Sequence, residues 1–167
     1  MDARMHVVQA SQPRRQVKAP PPGEYLLFHC LVVTADESRQ QFMEHAASEQ
    51  GWEVVACGDA ESAVDYLRRR FAQLAIIDLP SDESGELADL LDRLPAFGDL
   101  LTIVCGHEND MEEEIWVRQT GAWLYLPGVD DTTDVGLLCG EAKRIIERKL
   151  DVQRASAASS APLRRAN

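Results

Sequence analysis

Asp78 closes the apolar run Leu74-Ala75-Ile76-Ile77. A carboxylate at the end of a buried strand is either a loop cap or a group placed for chemistry, as a nucleophile or a cation ligand. Four other segments carry comparable groups. Thr34-Ala35-Asp36-Glu37 follows one apolar run and Cys105-Gly106-His107 ends another, while Asp82-Glu83 and Glu112-Glu113-Glu114 are acidic runs. Cys105 and His107 have the types of a nucleophile and its base, but a two-residue spacing in a turn does not aim one at the other. The acidic runs have the composition of a solvated rim. The four cysteines, at 30, 57, 105 and 139, contain no CxxC pair. Such spacing gives no zinc or redox site and suits small buried hydrophobes in a reducing cytoplasm. Phosphate loops of the GxGxxG or GxxxxGK type are absent. No metal and no cofactor is expected.

The chain has 167 residues, 45% apolar and 27% charged, with a net charge of −11. That balance suits one soluble domain with a real core. No run is long and apolar enough to span a membrane, and the first residues lack a secretory apolar block. The charge is uneven. Residues 1–24 and 151–167 each carry +2, so 25–150 carries −15 of the −11 total. An acidic domain of this kind argues against nucleic acid as its partner and favours basic or neutral surfaces. The proline run 20–22 and the small polar residues after 155 set the expected organisation: a Pro-rich basic tail over 1–24, a domain over 25–150, and a disordered tail over 151–167.

Within the domain, apolar runs alternate with helical patterns. Strands are expected at 26–33, 52–57, 74–77, 100–105 and 123–126. Helices are expected at 38–50 (capped by Ser38), 60–70, 85–94, 111–120 and 133–149. Near-continuous apolar strands alternating with helices specify an α/β fold, a doubly wound five-stranded parallel sheet in three layers. Ligands of such a sheet belong at the carboxyl ends of its strands, here 34–38, 78–84, 105–110 and 127–131.

Five strings in order, LVVTADESR, GWEVVACGDAESAVDYL, LAIIDLPSDESGEL, TIVCGHEND and GAWLYL, resemble the receiver domain of bacterial two-component response regulators, a flavodoxin-like fold. The match covers about 120 residues. The resemblance implies a phospho-acceptor at Asp78. It also implies an acid pair that holds Mg²⁺ after the first strand, a Thr or Ser after the fourth, and a Lys after the fifth. Those positions fall here on Thr34 and Ala35, on Cys105 (or Gly106), and on Gly128. Asp36 and Glu37 follow directly and form the acidic pocket still available beside Asp78. No lysine lies between Lys18 and Lys143, so no small shift supplies the ammonium.

The expectation is therefore a degenerate, stand-alone receiver, a pseudo-receiver that is not an enzyme and acts through protein contacts in the cytoplasm. The alternative is a phospho-accepting switch that uses Asp78 with Mg²⁺. A histidine kinase or a downstream protein is the implied partner, and a homodimer is possible on the same grounds. The contact face implied by the resemblance is 111–120, 123–126 and 133–149, which carries Trp116 and Trp123 beside Glu112–Glu114.

Overall fold

The computed structural model describes residues 27–130 and 133–159. The expected tail 1–24 and residues 160–167 lie outside the described residues. Five strands alternate with five helices: β1 (His29–Val33), α1 (Glu37–Glu49), β2 (Glu53–Cys57), α2 (Ala60–Arg69), β3 (Leu74–Asp78), α3 (Glu86–Arg93), β4 (Leu101–Gly106), α4 (Met111–Gln119), β5 (Leu124–Pro127) and α5 (Val135–Ser159). Short 3-10 turns follow β3 at Leu79–Ser81 and α3 at Leu94–Phe97. The sheet is parallel throughout, in the order β2-β1-β3-β4-β5.

That order puts β1, β3 and β4 inside the sheet. Every residue of β3 is buried, as are the last four of β1 and the last five of β4. Both faces of the sheet are covered. One core gathers Leu31, Val33, Ala75, Ile77 and Val104 under the apolar stripes of α2 and α3. The other gathers Val32, Ile76, Ile103 and Cys105 under Met43 and Ala47 of α1 and Val135, Cys139 and Ala142 of α5. Trp52, at the turn into β2, ties the second layer together. Its Nε1 donates to the Cys139 carbonyl at 3.0 Å, and its ring meets Phe28 edge-on. Removing either core's large side chains would cost about 2–5 kcal/mol each, because fully packed sites collapse incompletely.

Most boundaries shift by one to three residues from the sequence reading, and two differences have an identifiable cause. α1 begins one residue early because Asp36, not Ser38, is its N-cap, accepting from the Arg39 amide at 3.0 Å. α5 runs to Ser159, nine residues past the boundary expected at 150, so 151–159 are helical rather than disordered. Those residues are Ala-rich, with no Gly or Pro before Pro162, and a docked helix extends through such a stretch without a fresh nucleus. Trp116 packs partly buried on the α2–α3 side and Trp123 on the α1–α5 side. The exposed apolar residues of α4 are instead Met111 and Ile115.

Candidate functional site

β1 and β3 are adjacent, in register from Cys30–Leu74 to Val33–Ile77. Their carboxyl ends therefore deliver Thr34 and Asp78 side by side, and both are buried. Thr34 Oγ1 donates to Asp78 Oδ2 at 2.8 Å. From the first turn of α1, Arg39 reaches back over the strand ends. Its Nε donates to Asp78 Oδ2 and its Nη2 to Asp78 Oδ1, both at 2.6 Å. This is the bidentate fork that guanidinium makes with carboxylate. The remaining head, Nη1, donates to the Val129 carbonyl at 2.7 Å. Asp78 is 0% exposed, whereas the Arg39 side chain is 26% exposed. The hydrogen bonds to Asp78 raise the Arg39 pKa further above its ordinary value, against the opposing effect of burial.

The surrounding loop is fixed from the same side. Ser81 Oγ donates to the Asp78 carbonyl at 2.7 Å and accepts from the Ala35 amide at 2.9 Å. Ala35 thus lies at the site and contributes only backbone. Asp36 is occupied as the α1 cap, and Glu37, the first residue of α1, is exposed. Neither donates to or accepts from Asp78. Cys105 is Asp78's neighbour across β3 and β4 and is buried. Burial, then the adjacent Asp78 charge, pushes its thiol up to about 12. Gly128 sits in the left-handed region at φ 60 with its amide donating to the Gly106 carbonyl. It carries no side chain into the site.

What the site can do follows from this geometry. Both oxygens of Asp78 are engaged by cationic or hydroxyl donors, and no face of the carboxylate meets solvent. A carboxylate in that condition is a poor nucleophile, since attack on phosphorus needs a free oxygen in line with the leaving group. A divalent ion would have to displace the guanidinium, and Mg²⁺ needs one or two carboxylates that are free to ligate it. No group of three metal-ligating side chains occurs among the described residues.

Beside this pocket, the loop from β4 to α4 carries a second cluster. Glu113 accepts from the His107 amide, bonds His107 Nδ1 and accepts from the Tyr125 hydroxyl, at 2.8, 2.8 and 2.7 Å. His107 is thus bound to a carboxylate on α4 and is not paired with Cys105. Burial and the bond to Glu113 raise the Tyr125 pKa, so the phenol stays a donor.

Arg39 is the functional residue that the sequence reading missed. It is the sole arginine or lysine between residues 25 and 67. A lone cation one turn into a helix that starts beside a buried acid was the available signal.

The thiols give a direct check on this packing. Burial raises Cys30 well above its ordinary value and Cys139 to about 12; burial and the Asp59 charge also raise Cys57, but that thiol is only partly buried and so is the one a reagent can reach. Thiolate is the reactive form. Native protein treated with iodoacetamide should therefore gain one label, at Cys57, and the other three only after unfolding. Rapid labelling of Cys105 would show that the pocket is open.

The fold is that of known receiver domains. The chain is similar to a CheY-like response regulator receiver domain protein from Methanospirillum hungatei JF-1, at 20% identity and a TM-score of 0.59, over 78% of this chain and 99% of that one. A response regulator from Thermotoga maritima gives 22% and 0.60, over 73% and 99%. NtrX from Brucella abortus gives 18% and 0.67, over 83% of this chain and 32% of its own. No protein-family model matches the chain, and no curated protein sequence is similar to it. The class defined is the receiver fold, over most of the chain. No helix among the described residues is long and apolar enough to cross a membrane.

Proposed function

We propose that this protein is a receiver-fold signalling module that works through protein contacts, without phosphoryl chemistry and not as an enzyme. The observation that carries the reading is the Arg39–Asp78 fork. The residue at the acceptor position is fully buried, and its charge is met within the chain. Arg39 offsets the charge that Mg²⁺ and a lysine would otherwise offset in a receiver site. The partner is a signalling protein, a histidine kinase or a downstream component, met in the cytoplasm. The α4–β5–α5 face suits such a contact, with Met111 and Ile115 exposed one turn apart beside Glu112.

The test is incubation with acetyl phosphate and Mg²⁺, followed by intact mass. No addition of one phosphoryl group is expected, at Mg²⁺ concentrations that label an ordinary receiver domain run alongside. A phosphoryl adduct that disappears in Asp78→Asn would overturn this reading and establish the phospho-accepting switch.

A further inference from the structure

We infer that Arg39 is a clamp through which the Asp78 pocket sets the position of residues 128–130, which follow β5. The inference rests on the reading of Asp78 as an ion-paired anchor. Asp78's own partners are Thr34, Arg39 and Ser81, none of which belongs to that stretch. The link to it is the third guanidinium head, Nη1, on the carbonyl of the buried Val129. Guanidinium is planar and rigid, so heads that grip both Asp78 oxygens fix the direction of the remaining one. Three segments are thereby joined in one network: the residue after β1 through Thr34, the end of β3 through Asp78, and the stretch after β5 through Val129.

Val129 and the first residue of α5, Val135, are buried in the same core. Gly128 is held by the Gly106 carbonyl, and Val135 opens α5 with its amide on the Thr133 carbonyl at 2.8 Å. Val135 is itself buried in the core shared with α1. Loss of charge at Asp78 would free the guanidinium to rotate, and the Val129 carbonyl would lose its donor. Residues 128–130 and the first turn of α5 would then open more often, although nothing in them had been changed.

Amide hydrogen exchange of the full chain tests this without any phosphoryl donor, so its outcome is separate from that of the mass experiment. In Asp78→Asn and in Arg39→Lys, exchange at Gly128 and Val135 should accelerate by about tenfold, the size of one hydrogen bond to a charged group. Rates are read relative to Ile76 and Ile103 in the central strands, which report global opening. Lysine keeps the charge but cannot hold both ends, so its failure separates geometry from charge. Unchanged relative exchange at Gly128 and Val135 in Asp78→Asn would overturn the clamp. A measurement on the unmodified protein covers the case in which the variants do not fold. The Arg39 Nη resonances should be resolved, with hindered rotation. A single averaged signal, as from a free surface arginine, would equally overturn it.

Discussion

Arg39→Met should lower the free energy of unfolding by about 3 kcal/mol, read as a shift in urea midpoint at unchanged slope. The side chain is three-quarters buried, and its partner Asp78 is wholly buried. The substitution leaves a carboxylate with one hydroxyl donor, Thr34, in a site closed to water. An unpaired buried charge is what makes such losses large, far more than the attraction between the pair. The companion variant decides the point. Arg39→Met combined with Asp78→Leu removes both charges and should recover most of the loss, because apolar replacement of a whole buried pair is often neutral or better. A double variant as unstable as the single one would show that the stabilisation resides in the arm's packing. A surface bridge would give the opposite pattern, with single and double variants both within about 1 kcal/mol of the parent.

Gly106→Ala should cost about 1–3 kcal/mol although it adds one methyl group. Gly106 ends β4, and the Tyr125 ring lies directly over it, so a Cβ there would fall within the ring's own atoms. Tyr125 is buried and tied by its hydroxyl to Glu113 and to the His107 carbonyl. The ring therefore cannot slide aside without losing those bonds. Tyr125→Ala made in the Gly106→Ala background should be less damaging than in the parent, since it removes the collision. Thermal melts of the four proteins measure this. Strictly additive losses would mean that the ring relaxes freely and the seat is not tight.

Much of this was legible beforehand, for identifiable reasons. β3 is an unbroken apolar run that ends on a single acid, and buried parallel strands have that appearance. α2 and α3 place Ala63, Val64, Leu67, Leu87, Leu90 and Leu91 at helical spacing, and all six are buried. The start of α1 was displaced because two cap-forming residues, Asp36 and Ser38, stand two apart and only geometry chooses between them. The end of α5 was displaced because small residues suit both a helix and an irregular tail. Within the site, order along the chain directed attention to Thr34, Ala35, Cys105 and Gly128 beside Asp78. What fills the space could not be located in that way. Arg39 closes the string LVVTADESR but falls on none of the positions to which the resemblance assigns chemistry, and its contact with Asp78 spans 39 residues. A partnership of that kind depends on strand order and the reach of a side chain, which no local pattern encodes.

The guanidinium that occupies the pocket is covalently part of the chain. A cation held in this way cannot be diluted or chelated away, any competitor must displace it from a fixed local concentration, and it is present from the moment the polypeptide folds. Under the proposed reading, magnesium levels and the supply of phosphoryl donors have no purchase on the site. Under the reading given above, the protein does not alternate between two chemical forms. On that reading the signal it conveys follows the amounts of the protein and of its partner, not a chemical modification of the pocket.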